Sequence, residues 1–287
     1  MTRRSRILAV ALALCAEASS GCGGTQVLAP ARPRLGVQSN AVVIDAIELR
    51  VRPEPGARWI ATSEAVGDAT VLGQEVHFEY ASTSERVVRE RRADGTTVLA
   101  ERRLGGAMRI AMGETPAREE AFAPEPSTRT TVMDARGRTI EDALFAAPAP
   151  LEDARTQAMR RALEPIVDAI AYPDHPVAVG ERWRAEGTCP VSEGDARGSL
   201  RYALEQEVAR VEGTGADSVA ILRFRGDITG DGRLDADPVT GSLRLEGAYS
   251  VGLSDGLVRS MESRVEGNLS LGPVGIPFRG TVRYRAE

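Results

Sequence analysis

The sequence predicts a mainly β protein of the α+β class, in which two similar antiparallel β units form a curved sheet or half-barrel with one long amphipathic helix between them. The chain has only two tryptophans, Trp59 and Trp183, and each ends a turn-forming segment, Pro53–Trp59 (P-E-P-G-A-R-W) and Pro173–Trp183 (P-D-H-P-V-A-V-G-E-R-W). Both are followed by segments with apolar residues at every second position, which is the period of a strand. The connections are too short for parallel crossovers, so we expect antiparallel pairing.

The two units have the same order of elements. When Trp59 is aligned with Trp183, three apolar positions coincide in register: Val76, Phe78 and Tyr80 fall on Leu200, Tyr202 and Leu204. Further along, Val132–Gly137 and Val251–Gly256 each combine an aspartate with a glycine that can take the positive φ of a tight turn. The sequence therefore predicts a duplication, with chance similarity between β-rich segments as the alternative.

Residues 1–21 have the features of a secretory signal peptide: a basic start, an apolar run at Ile7–Leu14 and a tract of small residues. This segment is too short to span a bilayer. The junction Ser19–Cys22, S-S-G-C, resembles the lipobox of bacterial lipoproteins, in which the cysteine becomes the acylated first residue. Ser19 stands where that motif usually has Leu, Val or Ile, so an ordinary signal peptide with a free Cys22 is the alternative.

Lipidation of Cys22 implies that the protein is anchored in the cell envelope. Gly23 follows the cysteine, so the aspartate that signals inner-membrane retention is absent, and we expect an outer-membrane lipoprotein that faces the periplasm or the surface. The mature chain then keeps only Cys189, which has no partner for an intramolecular disulfide. We interpret Cys189 as a small apolar residue rather than a nucleophile.

Composition excludes some partner classes. The leader carries three arginines and one glutamate, a net charge of +2, so its removal changes the net charge from −5 to −7. All basic residues other than the two histidines are arginines, scattered through the predicted strands. An acidic chain without a basic cluster is not expected to bind nucleic acid or an anionic membrane surface.

Residues 22–41 are rich in Gly, Pro, Ala and Ser, and we predict a flexible tether there. The first β unit is predicted at residues 42–150, and it begins with a strand at Val42–Val51. Arg86–Arg103 is densely charged, but its alternation fits the solvated face of a strand. Thr115–Pro126 is rich in Pro and Glu and is predicted to be a loop.

The helix is predicted at Leu151–Tyr172, between the units. Apolar residues recur there at spacings of three and four, acidic residues lie near its start, and Pro165 should kink or divide it. We expect its apolar face to pack on the sheet; a helix on a membrane surface is the alternative. The second β unit is predicted at residues 173–287, where Ile276, Phe278, Val282 and Tyr284 share one face of the last strand and arginines the other.

One segment resembles a calcium loop. In Asp227–Pro238, D-I-T-G-D-G-R-L-D-A-D-P, residues Asp227, Asp231 and Asp235 occupy the first, fifth and ninth positions of such a loop. The twelfth position should be a bidentate carboxylate but is Pro238, and the flanks have strand character. We therefore interpret the segment as an acidic hairpin turn and predict no metal site or other cofactor.

Catalytic patterns are scarce. His77 lies in an alternating strand, where it should face solvent, and His175 lies in a Pro-flanked turn; neither has a histidine or cysteine at metal-ligand spacing. No nucleophile elbow or phosphate loop occurs. Paired catalytic carboxylates have no linear signature, so a hydrolase stays open, but aromatics are only 4% of the chain and give few rings to stack on sugars. We predict a protein that is not an enzyme.

The motif P-x-x-P-V-x-V-G-E-x-W, with Gly180, Glu181 and Trp183, resembles a family of secreted bacterial lipoproteins of unassigned function. The resemblance covers most of residues 45–284 and implies no catalytic residues; the first unit departs from it, with Ala57 in place of the acidic residue. In outline the predicted fold is also similar to outer-membrane lipoprotein carriers, which hold acyl chains in a half-barrel. Because fold does not fix function, this likeness only suggests a hydrophobic ligand.

Three functions follow as hypotheses, and the structure can separate them. The first is a lipid-anchored protein that binds a hydrophobic ligand in the concave sheet, which requires an apolar cavity of several hundred Å³. The second is a structural or protein-interaction module of the envelope, which requires a filled core and an exposed apolar patch. The third, a hydrolase, requires facing buried carboxylates. We take both tryptophans as core residues rather than ligand contacts.

Overall fold

A computed structural model describes residues 26–28, 46–124, 128–142, 171–193, 196–234 and 237–287. Within these ranges, 13 strands form one open, curved antiparallel sheet, which confirms the predicted mainly β antiparallel class. The strands are β1 (Gln26–Leu28), β2 (Arg58–Val71), β3 (Gln74–Arg91), β4 (Thr97–Met112), β5 (Thr115–Phe122), β6 (Arg129–Met133), β7 (Thr139–Asp142), β8 (Arg182–Glu193), β9 (Ala196–Glu212), β10 (Val219–Leu234), β11 (Asp237–Gly252), β12 (Val258–Leu271) and β13 (Val274–Ala286).

The second half of the chain precedes the first half in the sheet. The strand order is β1-β8-β9-β10-β11-β12-β13-β2-β3-β4-β6-β7, and β5 also pairs with β4. The C-terminal strand β13 pairs with β2, so both predicted units belong to one sheet. β6 pairs with the first part of β4 and β5 with its last part. In the second half of the chain, the single strand β11 pairs along the whole of β10.

The predicted helix Leu151–Tyr172 lies outside the described residues except for Ala171 and Tyr172, and neither of these is helical. The described part of the chain contains no helix long and apolar enough to cross a membrane. Its one helical segment is a single 3-10 turn at Gly215–Asp217.

The two ends of the sheet differ. One end, which we call the hairpin end, carries the two-residue turns Leu72–Gly73, Gly113–Glu114 and Gly272–Pro273. Leu72 and Gly73 both have positive φ, 53° and 76°, as a tight type I′ hairpin turn requires. At the opposite end, two segments from outside the sheet, residues 46–53 and 171–177, lie against the strand ends. We call these two segments the plug.

One face of the sheet, the inner face, forms the core. Its side chains lie in register across the strands, and one such row consists of Ala185, Leu204, Gly226, Leu245, Val265, Gly280, Gly67 and Phe78. Large side chains lie over glycines on neighbouring strands: a Cβ on Gly67 would be 2.5 Å from the Phe78 ring, and one on Gly187 would be 2.5 Å from the Tyr202 ring. These glycines let the strands bend closely over the core.

The outer face carries opposite charges in alternation across the strands. One row in register is Arg184, Glu205, Arg225, Glu246 and Arg264; a second is Asp227, Arg244, Glu266, Arg279, Asp68 and His77. The Arg225–Glu205 pair is 3.1 Å apart and the Arg279–Asp68 pair 3.4 Å. The scattered arginines of the sequence are therefore neutralised across strands, which is favourable for facing pairs.

Three segments differ from the predictions. Thr115–Phe122 is strand β5 rather than a loop: it pairs with β4 but is exposed along almost its whole length, so it shows no apolar alternation. The described part of Val42–Val51 is not a strand, because only Ile47 forms an isolated bridge, with Val177. Gln26–Leu28, within the expected tether, forms strand β1 and pairs with β8.

Candidate functional site

The plug is fixed to the sheet by backbone hydrogen bonds. Ile47 and Val177 join its two segments through reciprocal N–H···O bonds of 2.7 and 2.9 Å. The Val51 N–H donates to the Ala135 carbonyl at 2.8 Å, and the Arg52 N–H donates to the Asp255 carbonyl at 2.7 Å. Ala135 and Asp255 belong to the turns Val132–Gly137 and Val251–Gly256, which we call the Asp-Gly turns. The plug is thus held between these two turns, one from each half of the chain.

Both Asp-Gly turns are built for this contact. Asp134 Oδ1 accepts the N–H groups of Arg136 and Arg138, both at 2.9 Å, which shapes the first turn. In the second turn Asp255 Oδ1 accepts the Leu257 N–H at 3.0 Å, and Gly256 has a φ of 71°. A Cβ on Gly256 would lie 1.8 Å from the carbonyl oxygen of Arg50, so only glycine allows the plug to approach this closely.

Tyr172 is the buried anchor of the plug. Its side chain is 2% exposed, and its hydroxyl donates to the Gly256 carbonyl at 3.0 Å. Its N–H donates to the Arg136 carbonyl at 2.9 Å, and the Arg136 Nε donates back to the Tyr172 carbonyl at 2.7 Å. Burial raises the pKa of Tyr172 and lowers that of Arg136. The phenol therefore stays a neutral donor over the physiological range.

A buried polar chain continues from the plug into the sheet. The Ala171 carbonyl accepts Trp183 Nε1 at 3.0 Å and Gln206 Nε2 at 3.4 Å. Gln206 Oε1 in turn accepts the Tyr249 hydroxyl at 2.5 Å, and burial raises the pKa of Tyr249. Every member is buried, so each polar group depends on the others for its hydrogen bonds.

The sequence analysis did not identify Gln206, although its position in the apolar alternation of β9 is a signal. Gln206 continues the inward alternation of Tyr202 and Leu204 and precedes Val208 on the same face. A lone amide at an apolar position of a strand indicates a buried hydrogen-bond partner.

The two tryptophans are core residues, as predicted: Trp59 is 8% exposed and Trp183 2%. Both follow turns closed by the same backbone bonds. The Ala57 N–H donates to the Glu54 backbone carbonyl at 3.0 Å in the first turn, and the Glu181 N–H donates to the Ala178 carbonyl at 3.1 Å in the second.

A cavity of about 50 Å³ lies between the plug and the inner face. It is lined by Val51, Trp59, Arg86, Leu99, Met133, Gly137, Tyr172, Gly256, Leu257, Val258 and Tyr284. The guanidinium of Arg86 pairs with Glu101 at 3.1 Å and lies over the Tyr284 ring, 5.5 Å from its centroid. This space has room for a few water molecules but not for an acyl chain.

Both histidines bridge carboxylates. His175 Nδ1 lies 3.1 Å from Asp174 Oδ1 and its Nε2 lies 3.1 Å from Glu181 Oε1. The hydrogen bond to Asp174, followed by that to Glu181, raises the pKa of His175, and the pKa of Asp174 is lowered by the same bond. Glu181 Oε2 also accepts the Ala178 N–H at 3.0 Å. The Gly-Glu-x-Trp motif thus closes the turn before Trp183.

His77 lies on the outer face, as predicted, with Nδ1 2.9 Å from Asp68 and Nε2 3.3 Å from Glu79. The bond to Asp68 is the main cause that raises the pKa of His77 and lowers that of Asp68. His77 and Asp68 line a polar groove of about 580 Å³ that also includes Glu75 and Arg279. Both ring nitrogens already face carboxylates, so the cluster is an ion-pair network of the outer face.

The calcium-like segment is an extended hairpin. Asp227 and Asp231 are both in strand β10, where four residues span roughly 13 Å, too far for shared coordination of one ion. Asp227 pairs with Arg244 at 3.6 Å, and Asp231 accepts Ser199 Oγ at 3.1 Å and Arg201 at 3.3 Å. Asp235 lies outside the described residues. In the described ranges, no three His, Cys, Asp or Glu side chains form a group that could hold a metal.

The remaining candidate, Cys22, also lies outside the described residues, so its lipidation stays a prediction. Cys189 belongs to strand β8, and its backbone is paired in register with that of Leu200 in β9.

No protein-family model matches the sequence, and no curated protein matches it. A crystal structure of Pseudomonas aeruginosa OccK7 (OpdD) is similar to 77% of this chain, at 11% identity and a TM-score of 0.20. The chain spans 65% of the length of that protein. A likeness at this level carries no argument about fold or function, and the resemblance to secreted lipoproteins stays a prediction.

Proposed function

We propose that the protein is a non-enzymatic lipoprotein of the cell envelope, composed of two duplicated β units and anchored through Cys22, that binds a hydrophobic ligand against the inner face of its sheet. The observation that supports this most is the continuity of that face. Its apolar rows cross the strands from β8 to β3, and the charge rows lie on the outer face; on the inner face, the plug end carries the Arg86–Glu101 ion pair, in register with Trp59, and the buried Arg103.

The position of the plug limits where a ligand could lie. The plug fills only one end of the inner face, and the cavity beside it is too small for an acyl chain. The apolar rows continue to the hairpin end through Val71, Val239, Leu269 and Ile276. These four residues are only 1–5% exposed, so a hydrophobic ligand that binds along these rows, away from the plug, would have to displace the groups that cover them.

Native mass spectrometry of the full chain, purified from its own host in mild detergent, tests the proposal. We expect a population of protein that carries a co-purified lipid. Ala69→Leu adds volume to the inner face beside Phe278, where Ala69 packs against the core, and should lower the lipid-bound fraction. Ala81→Leu adds the same volume at an exposed position of β3 and should leave that fraction unchanged. A ligand-free native protein would overturn the ligand proposal.

A second candidate, a structural or protein-interaction module, is favoured by the tight packing beside the plug. The same purification separates the two functions if it is combined with chemical crosslinking in cells. Lipid-free protein that crosslinks to one partner in stoichiometric yield would support the module. A hydrolase has less support, because the buried polar residues of the described part include no aspartate or glutamate.

A further inference from the structure

The first unit carries three serines side by side on the inner face of the sheet. Ser63 of β2 is paired in register with Ser82 of β3, and Ser84, two residues further along β3, lies on the same face. Directly opposed side chains in a sheet are roughly 5 Å apart, and next-but-one residues of a strand are roughly 7 Å apart. The three hydroxyls, which we call the serine patch, are therefore close enough to bind one small group together.

The serine patch does not contribute hydrogen bonds to the fold. Ser84 is 8% exposed, and among the described residues no group forms a hydrogen bond with its hydroxyl or with those of Ser63 and Ser82. A buried hydroxyl without a partner costs free energy, because it has lost its hydrogen bonds to water. Ser63 and Ser82 are half-buried, so solvent reaches the patch. An unpartnered hydroxyl in such a place points to a ligand that supplies the missing partner.

The corresponding place in the second unit is filled by large side chains. Gly187 of β8 lies four residues after its tryptophan, as Ser63 does, and is in register with Tyr202 of β9. The Tyr202 ring covers Gly187. Leu204 is next on the same face of β9, and a Cβ on Gly226 would lie 2.7 Å from it. A unit of this kind can thus be packed without hydroxyls here, which indicates that the serine patch serves something other than the fold.

A guanidinium borders the serine patch. Arg103 of β4 is in register with Ser84 and 7% exposed, and its guanidinium lies 5.4 Å from the centroid of the Phe122 ring. Because a guanidinium has five N–H donors, it can bind an oxyanion in addition to other partners. Glu101, two residues earlier on the same face, is paired with Arg86 at 3.1 Å. Hydroxyl donors next to a guanidinium are groups that bind a carboxylate or a phosphate.

An apolar strip continues from the serine patch toward the hairpin end. Gly106, in register with Ser82, is followed on the same face of β4 by three apolar residues, Met108, Ile110 and Met112. The last two are half-buried, and methionine adapts to ligands of varied shape. Six residue steps along β4 span roughly 20 Å, more than one leaflet of the roughly 30 Å hydrocarbon core of a bilayer. On the neighbouring edge strand β5, Arg118 and Glu120 pair with each other at 4.0 Å.

We propose that the ligand of the inner face is an acidic amphiphile, whose carboxylate or phosphate headgroup binds the serine patch and Arg103 and whose chain lies along the apolar strip. This inference rests on the proposed ligand-binding function and names the class of ligand. An oxyanion offers several acceptors to these donors. A fatty alcohol brings a single neutral oxygen, so it satisfies fewer of them.

Three probes with the same chain test the headgroup on the delipidated full chain: palmitic acid, cetyl phosphate and cetyl alcohol. Isothermal titration calorimetry measures their affinities below the micelle concentration. We expect the carboxylate or the phosphate to bind at least about tenfold more tightly than the alcohol, because charge-assisted hydrogen bonds are stronger than neutral ones. The tighter of the two acidic probes identifies the headgroup, that of a fatty acid or that of a phospholipid.

A double variant, Ser82→Ala with Ser84→Ala, should lower the affinity for the tighter acidic probe about tenfold and change that for cetyl alcohol less than about twofold. Ser242→Ala, at an exposed position on the outer face of β11, is the matched control and should change neither affinity. In the delipidated protein, Ser84→Ala should keep or raise the melting temperature, because it removes an unpartnered hydroxyl. A lower melting temperature would show a structural role for Ser84 and would overturn the site.

The outcomes separate this inference from the function on which it rests. Equal affinity for all three probes, or a double variant that binds the acidic probe as tightly as the parent does, would overturn the headgroup site and leave the hydrophobic ligand in place. Binding of none of the three probes would overturn both.

Discussion

Gly56 and Gly180 have the same backbone conformation, with φ of 86° at both, and each lies three residues before one of the two tryptophans. The Gly56 N–H donates to the Val88 carbonyl at 2.8 Å, and the Gly180 N–H donates to the Val208 carbonyl at 2.7 Å. Gly56 therefore connects the turn before β2 to strand β3, and Gly180 connects the turn before β8 to strand β9, by equivalent bonds. The likeness is what a duplicated unit predicts.

The two glycines should respond alike to substitution. Gly56→Ala and Gly180→Ala should each lower the free energy of unfolding by about 1–2 kcal/mol, because a Cβ disfavours positive φ. No atom lies within 4 Å of either added Cβ, so the cost is conformational. Asparagine at either position should cost less than alanine. Urea denaturation measures these differences, and a loss at only one of the two glycines would argue against equivalent turns.

Glycines of the inner face should not tolerate substitution by alanine, for a different reason. A Cβ on Gly267 would lie 2.0 Å from the Ser242 carbonyl oxygen, so Gly267→Ala should destabilise the protein by about 1–3 kcal/mol through overpacking. Gly275→Ala, in β13, is the control, since its Cβ would only reach the Asn268 side chain at 3.8 Å. Thermal unfolding of both variants checks this, and equal melting temperatures would contradict the close strand approach.

Trp183 should matter more than Trp59. Trp183→Phe removes the donor to the Ala171 carbonyl, whereas Trp59 makes no such bond among the described residues. We expect Trp183→Phe to lower the unfolding free energy by about 1 kcal/mol more than Trp59→Phe. Denaturation of the two variants in urea measures the difference, and an equal loss would mean that the bond contributes no net stability.

The raised pKa of His175 predicts a loss of stability on the alkaline side. Its ion pairs contribute fully below the ordinary histidine pKa of about 6.5 and are lost as the pH rises through the higher folded-state value. Because the ring is 41% exposed, the loss should be small, about 0.2–1 kcal/mol between about pH 6 and about pH 8.5. His175→Asn should flatten this slope in urea denaturation, and His77→Asn should remove a separate share. An unchanged slope in His175→Asn would refute the assignment.

The charge rows of the outer face should contribute to stability through attraction between opposite charges on neighbouring strands. Glu205 lies 3.1 Å from Arg225 and 3.6 Å from Arg182, so Glu205→Arg should cost about 0.5–1 kcal/mol through repulsion. The exchange Glu205→Arg with Arg225→Glu should recover part of the loss, and about 1 M salt should reduce it. A double-mutant cycle by urea denaturation measures the coupling, and zero coupling at low salt would show that the pair is neutral for stability.

The sequence predicted those parts of the fold that depend on local alternation. The two faces of β13, with Ile276 and Val282 inward and Arg279 and Arg283 outward, were predicted correctly because side chains alternate in a strand. β5 was missed because an edge strand exposed on both faces has no such alternation. The hairpin at Asp227–Pro238 was interpreted as a turn, whereas Asp227–Leu234 is still part of strand β10, because the Asp-Gly pattern there resembles a loop.

Long-range contacts could not be predicted in the same way. The bond from Tyr172 to Gly256 and the chain from Trp183 to Tyr249 join residues distant in sequence, and no spacing encodes such pairs. The Gly-Glu-x-Trp motif pointed to a turn, but the contact of Glu181 with His175 needed the folded turn. The pairing of β13 with β2 likewise has no local signal.

That pairing has a consequence for biosynthesis. The seam of the sheet pairs β2 with β13, which is made much later in synthesis, so the first half of the chain must wait for β13 with one strand edge open. Premature termination would remove a middle strand of the order rather than an outer one, and would leave two separate edges that are prone to aggregation. Chaperone dependence should therefore persist until β13 has been made and has paired with β2.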